Sequence, residues 1–101
     1  MKTIEQSQRE TARWVALTAL YNGAGFPLAE RVILSVLEAV PIHATAADVR
    51  QHLHFLDTAG MATVHKQPDG TWTACITKDG MDCVEYNATC PAGIARPQKY
   101  W

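Results

Sequence analysis

A change of hydrophobic period at Gly60 constrains the fold of this chain more than any other sequence feature. Before Gly60 the apolar residues recur at helical spacing, and after it two short runs, residues 61–66 and 71–76, alternate as strands do. Between these runs stands Pro68-Asp69-Gly70, a tight-turn sequence that joins two strands into a hairpin. With only 101 residues, 48% of them hydrophobic, the chain has room for one soluble domain that combines helices and strands.

Three helices are predicted before the hairpin. The first covers about Ser7 to Tyr21 and ends at Gly23 and Gly25. The second covers Leu28 to Val40 and is bracketed by Pro27 and Pro41. Its polar residues fall on one narrow line, Arg31, Ser35 and Glu38, so we expect a helix that is wrapped on most sides and is central to the domain.

The third predicted helix extends from Thr45 to Ala59. Thr45 is a good N-cap, and Asp48 three residues later completes a variant of the capping box. Its predicted buried stripe is Ala46, Val49, Leu53 and Leu56. The opposite face is small or polar, and such a face can enter a DNA major groove.

After the hairpin, Thr77 is a predicted N-cap for a short fourth helix that reaches about Glu85. The last residues, rich in Pro and Gly, predict an irregular tail ending in Tyr100 and Trp101, which suggests docking on another surface. The predicted organisation is a domain over residues 1–86 and an extended tail over residues 87–101. The three cysteines are odd in number and form no Cys-x-x-Cys pair, so reduced thiols are expected.

The order helix, helix, helix, hairpin, short helix resembles winged helix-turn-helix proteins of the ArsR and MarR kind. The resemblance rests on the third-helix residues Val49, Leu53 and Leu56 with Gly60, and on Ile76-Thr77-Lys78-Asp79-Gly80, which is similar to the Leu-Thr-x-x-Gly step after the wing. Together with Gly93-Ile94-Ala95-Arg96-Pro97, that step also resembles a family of small proteins of Mu-like phages. The resemblance implies an α+β fold, mostly helical, with a two-stranded wing. It also implies a transcriptional regulator of phage or prophage genes that binds double-stranded DNA as a homodimer.

Carried over by position, the resemblance implies base contacts by the third helix and phosphate contacts around it. Thr45, Arg50, Gln51 and His54 would lie near bases or phosphates, Lys66 and Gln67 at the wing tip, and Lys78 near the backbone. The charge balance departs from this pattern, because residues 41–69 hold two cations, Arg50 and Lys66, against three acids, Asp48, Asp57 and Asp69. A monomer should therefore bind DNA weakly, and useful affinity would require a dimer or a partner.

The alternative is a winged-helix module that binds a protein instead of DNA. Its candidate anchors are the second apolar row of the first helix, the third-helix aromatic and the C-terminal aromatics, namely Trp14, Leu17, Tyr21, Phe55, Tyr100 and Trp101. The Trp14 row needs a cover, either the tail or a partner chain, and Phe55 is expected to pack under the hairpin near Trp72.

All four histidines, His43, His52, His54 and His65, fall in the same segment as the predicted reading helix and wing. We interpret them first as ordinary surface or half-buried side chains. Two alternatives stay open: protonation near pH 6 that supplies the missing positive charge, and a metal site formed by His54, His65 and a cysteine.

No phosphate-binding loop, nucleophile elbow or paired carboxylate indicates catalysis, and no cofactor is expected. The N-terminal residues lack the apolar stretch of a signal peptide, and no apolar run approaches the length of a membrane span, so a cytoplasmic protein is expected.

Overall fold

The computed structural model describes residues 3–98. Within this range the chain forms four helices and a three-stranded antiparallel sheet. In chain order the elements are α1 (Ile4–Asn22), β1 (Leu28–Ala29), α2 (Glu30–Ala39), α3 (Ala46–Thr58), β2 (Ala62–Lys66), β3 (Trp72–Ile76) and α4 (Lys78–Val84). The predicted α+β class is confirmed.

The sheet has the order β1-β3-β2, and both of its strand pairs are antiparallel. The predicted hairpin is confirmed, with Lys66 opposite Trp72 beside the turn and Ala62 opposite Ile76 at the far end. Gly70 has φ +89°, a left-handed conformation that a turn at this position requires and that glycine adopts without a Cβ clash. The two-stranded wing becomes a three-stranded sheet because Leu28 and Ala29, predicted as helix, pair with β3 instead.

Helix α3 begins and ends where the sequence predicts. The Thr45 hydroxyl accepts a hydrogen bond from the Asp48 N–H at 3.1 Å, and the Asp48 carboxylate accepts one from the Thr45 N–H at 3.0 Å. This capping box provides acceptors for two backbone N–H groups at the N-terminus of α3. After the helix, Gly60 turns the chain towards β2 with φ +80°.

The central helix is α1, and the prediction for α2 was wrong. Helix α1 packs against α2, α3, α4 and β3, whereas α2 buries only Ile33 and Leu37. The core combines α1 residues with one side of α3, the sheet, α4 and a residue of the tail: Ala12, Ala16, Leu17, Leu20, Ile33, Leu37, Val49, Leu53, Leu56, Met61, Ala62, Ala74, Ile76, Cys83 and Ile94. Helix α2 therefore lies at the periphery with a long side open to solvent.

Two expectations, one about α3 and one about α1, need correction. In α3 the buried positions are Val49, Leu53 and Leu56 as predicted, but Ala46 is exposed and His52 takes a buried position instead. Leu17 is completely buried, so it belongs to the core and not to an outer row. Tyr21, on the same side of α1, donates from its hydroxyl to Glu85 just after α4, at 2.7 Å.

The described part of the tail, residues 87–98, has no regular element but packs on α1. The Ala95 N–H donates to the Glu10 carbonyl at 3.1 Å, and the Arg13 guanidinium donates to the Gly93 carbonyl at 3.1 Å. Ile94 is nearly buried in the core. This part of the tail docks on its own domain, whereas Tyr100 and Trp101, on which the docking prediction rested, lie outside the described residues.

The expectation of reduced cysteines was wrong for two of the three. Cys83 of α4 and Cys90 of the tail form a disulfide, whereas Cys75 of β3 is free. The pairing depends on the chain reversing direction after α4, which brings residues seven apart together. Spacing alone gave no sign of it because no Cys-x-x-Cys motif is present.

Candidate nucleic-acid interface

The outward side of α3 and the β2–β3 hairpin form the surface that the sequence analysis singled out. Gln51 and His54 are exposed on α3, and His65, Lys66 and Gln67 are exposed on the hairpin. A groove of about 460 Å³ separates the helix from the hairpin. It is lined by His54, Asp57, Val64, His65, Lys66 and Trp72.

The Arg50 guanidinium is held by three parts of the protein, although the Arg50 side chain is 40% exposed. Its Nε donates to both carboxylate oxygens of Glu30, at 3.0 and 3.2 Å, and its Nη2 donates to the Gly70 carbonyl at 2.7 Å. The guanidinium carbon lies 4.9 Å from the centre of the Trp72 ring. Arg50 thus links α2, α3 and the hairpin turn, and its contact with base edges stays a prediction.

Glu30 is the residue of this network that the sequence analysis missed. Its side chain is only 17% exposed, and besides binding Arg50 it accepts a hydrogen bond from the Trp72 backbone N–H at 2.6 Å. A carboxylate so little exposed needs a cation or hydrogen-bond donors to offset its lost hydration. The sequence contained no local signal for the pair, because Glu30 and Arg50 are 20 residues apart and belong to different helices.

Two further predicted contacts have partners inside the protein. Lys66 lies over the opposite strand with its Nζ 4.8 Å from the Trp72 ring centre, and it stays exposed at the groove. The Gln67 amide donates to the Thr73 hydroxyl at 3.4 Å across the hairpin. The wing tip therefore retains one cation at its surface, Lys66.

Thr45 and Lys78 lie at helix starts. The Thr45 hydroxyl is used by the capping box, and the hydrogen bond from the Thr45 backbone is the main cause that lowers the pKa of Asp48. Lys78 begins α4, its side chain is 88% exposed, and its Nζ lies 3.4 Å from an oxygen of Asp82 one turn later. Helix α4 packs against α1, and Lys78 is not among the residues that line the groove.

His52 differs from the other histidines. It is 5% exposed, on the inner side of α3, and its Nδ1 has no hydrogen-bond partner among the described residues. Burial, followed by the charge of Arg13, lowers its pKa below the ordinary value, so the imidazole is neutral at neutral pH. A charged His52 therefore cannot supply the missing positive charge on this side of the protein.

His52 also borders a small cleft between α1 and α3 of about 180 Å³. The charged residues that line the cleft are Glu5, Arg9 and Asp48, together with His43. Among residues 3–98, no three His, Cys, Asp or Glu side chains are grouped so that they could hold a metal ion. The alternative of a metal site from His54, His65 and a cysteine therefore has no such group behind it in this part of the chain.

The candidate protein-binding anchors are mostly used inside the domain. Phe55 does not pack near Trp72 as expected. Its ring lies 4.0 Å from the Arg13 guanidinium carbon and against Gly93, where an added Cβ would come within 2.7 Å of the ring. Trp14 packs partly buried against the core, on the same helix as the fully buried Leu17. Tyr100 and Trp101 lie outside the described residues.

No helix in the described part of the chain is both long enough and apolar enough to cross a membrane. Comparison with known proteins adds no assignment: no protein-family model, no curated protein and no solved structure matches the chain.

Proposed function

We propose that this chain is a winged-helix protein that binds duplex DNA, weakly for each subunit, through the outward side of α3 and the β2–β3 hairpin. The order of the elements supports the proposal, since a helix pair is followed directly by an antiparallel hairpin. The same order underlies the resemblance to ArsR and MarR proteins. In such proteins the second helix of the pair enters the major groove and the wing lies against the backbone.

The observation that carries the proposal is the polar groove between α3 and the hairpin. His54 from the helix and His65 and Lys66 from β2 line one groove, and Gln51 is exposed on the same helix. Amide and imidazole groups on a helix can exchange hydrogen bonds with base edges, while a lysine on the wing can bind a phosphate. The exposed large hydrophobic residues of the described chain lie elsewhere, at Ile4, Phe26, Val32 and Val40.

Arg50 has a positioning role in this proposal. By binding Glu30 and the Gly70 carbonyl, it fixes the hairpin turn relative to α2 and α3. A fixed wing lowers the entropic cost of docking on a duplex, because helix and wing must contact the DNA at the same time. Lys66 then remains as the cation at the groove, so few phosphates are neutralised per subunit and the affinity should be low.

Fluorescence anisotropy with a labelled pool of random-sequence duplexes tests the proposal. Binding is expected at about 50 mM salt and should decrease as salt is raised. Replacing the single groove lysine, Lys66→Ala, should reduce the slope of log K against log salt by about 0.9, the value for one lost phosphate contact. Gln51→Ala should change sequence preference more than salt dependence, because an amide binds bases without releasing counterions.

Lys78→Ala is the matched control, since Lys78 is a cation 88% exposed on α4 and lies outside the groove. It should leave the salt slope unchanged. Absence of binding at about 50 mM salt across the whole pool would overturn the proposal. An equal effect of the Lys78 and Lys66 replacements would overturn the assignment of the surface, because binding would then depend on net charge and not on the groove.

A further inference from the structure

Helix α2 has an unusual exposed side. Val32, Val36 and Val40 recur every four residues, and none of the three packs against the hydrophobic core. Val32 is 41% exposed and Val40 is 45% exposed. Val32 and Val40 are two of the four exposed large hydrophobic residues in the described chain. Val36 between them is half-buried, so Val32 and Val40 carry most of the exposed apolar surface on this helix side, and a second surface would cover it favourably.

The charged residues beside the valines carry opposite signs at opposite ends of the helix. Arg31 lies in the first turn of α2 and Glu38 in the last, seven positions apart, so both project along the same edge. Both side chains are exposed, and among the described residues neither has a hydrogen bond or ion pair of its own. Ser35 lies between them along the helix, about 40° from Arg31 towards the valines, with its hydroxyl bound to the Arg31 carbonyl at 3.0 Å.

This arrangement is complementary to itself. Two copies of α2 that pack antiparallel about a twofold axis bring the first turn of one helix next to the last turn of the other. In antiparallel helix pairs the equivalent edges of the two helices face each other, so Arg31 of each copy meets Glu38 of the other. The valine side and the small residues Ser35 and Ala39 then lie between the helices, where small side chains permit close approach.

We propose that α2 is the self-association surface of this protein, with an antiparallel α2–α2 pair across a twofold axis and two Arg31–Glu38 ion pairs at its edge. The partner is a second copy of the chain, because an antiparallel α2–α2 pair places an opposite charge opposite each Arg31 and each Glu38. The α1 row is less available for a dimer interface, because Leu17 is completely buried and Trp14 and Tyr21 pack partly buried against the core.

The dimer should be weak and concentration-dependent. Helix α2 has ten residues and is about 15 Å long. One face of such a helix, with the residues beside it, buries less area than the roughly 800 Å² per partner of a standard interface. The proposal does not depend on DNA binding, since the association is measured on the protein alone. If the dimer also binds DNA, doubling the number of contacts would raise the low affinity expected of one subunit.

Charge reversal with mixing provides the test. Arg31→Glu places two acids on each α2 edge, and Glu38→Arg places two cations there, so each variant alone should associate about tenfold more weakly than the unmodified chain. An equimolar mixture should associate again, because each ion pair is then restored between unlike chains. The double variant, Arg31→Glu with Glu38→Arg, should also regain self-association. Sedimentation equilibrium over a roughly hundredfold concentration range measures all four cases.

These replacements should not unfold the protein. Glutamate near the N-terminus of a helix and arginine near its C-terminus interact favourably with the helix dipole. Val32→Ser tests the apolar part of the interface at a position outside the core. It should weaken association without a change in the net charge of the chain. Thermal unfolding of each variant, followed by circular dichroism, shows whether the fold is retained.

Two results would overturn the proposal. One is an unmodified chain that is monomeric over the whole concentration range. The other is a dimer that persists in both single variants and does not change when they are mixed, since such a dimer must use another surface. Neither result bears on DNA binding by the monomer, which the anisotropy experiment measures separately.

Discussion

Replacing Glu30 removes the carboxylate that joins Arg50 to the backbone of β3. Glu30→Ala leaves the Trp72 N–H, now bound at 2.6 Å, without its acceptor. A buried or half-buried N–H that loses its partner costs about 1–3 kcal/mol. The Arg50–Glu30 ion pair contributes less than about 1 kcal/mol, because the Arg50 side chain is 40% exposed and water screens the pair. The expected loss of unfolding free energy is therefore about 2 kcal/mol for Glu30→Ala.

Glu30→Gln separates the two contributions. The glutamine carbonyl oxygen can still accept from the Trp72 N–H, whereas the ion pair with Arg50 is lost. The expected loss is then about 1 kcal/mol or less. Urea denaturation followed by circular dichroism gives both values, and amide hydrogen exchange of Trp72 by NMR should be faster in the alanine variant than in the glutamine variant.

Glu38→Gln is the matched control on the same helix. Glu38 is exposed, and in dilute solution, where the monomer prevails, its replacement should change the unfolding free energy by less than about 0.5 kcal/mol. The reasoning is refuted if Glu30→Ala is as mild as this control, or if Trp72 exchange is the same in both Glu30 variants. Either result would mean that the hairpin is held to α2 without the carboxylate.

Three further predictions concern other parts of the fold. Because the pKa of buried His52 is below its unfolded value, the unfolded state binds more protons in mild acid, so the free energy of unfolding should decrease as pH falls below about 6.5. Urea midpoints measured at each pH should show that this loss disappears in His52→Gln but persists in the variant of an exposed histidine, His54→Gln. Gly80→Ala should destabilise the protein by about 1–3 kcal/mol, because a Cβ there would collide with a backbone carbonyl of the chain that precedes β2; an unchanged melting temperature would contradict the close approach. Reducing the disulfide between Cys83 and Cys90 should lower the unfolding free energy by about 2 kcal/mol and expose the tail to proteases. Equal proteolysis with and without reductant would refute the role of the disulfide in anchoring the tail.

Much of the secondary structure could be predicted because its signals are local. The capping box at Thr45, the left-handed glycine at Gly60 and the Pro68-Asp69-Gly70 turn each act within a few residues, and each has the predicted conformation. The α+β class and the hairpin follow from these signals together with the change of hydrophobic period. The same signals do not distinguish a first helical turn from a short strand, so β1 was missed.

The candidate site was predicted less well, because residue type indicates chemistry but not partners. Arg50 has the chemistry to bind a base or a phosphate, yet its three contacts come from Glu30, Gly70 and Trp72, which are all 20 or more residues away in the chain. His54 and Lys66, by contrast, lie on one groove as the resemblance implied. Whether that groove binds DNA stays a prediction for the anisotropy experiment.

The sequence by itself determined where α3 and the β2–β3 hairpin begin and end, and it determined the low net charge of the segment that contains them. The tertiary structure decided which sides of those elements are covered. It made α1 central in place of α2, buried Leu17 and His52, joined Cys83 to Cys90 and paired Arg50 with Glu30. The physical reason is range: caps and turns depend on hydrogen bonds within a few residues, whereas burial and ion pairs depend on which distant surfaces pack together.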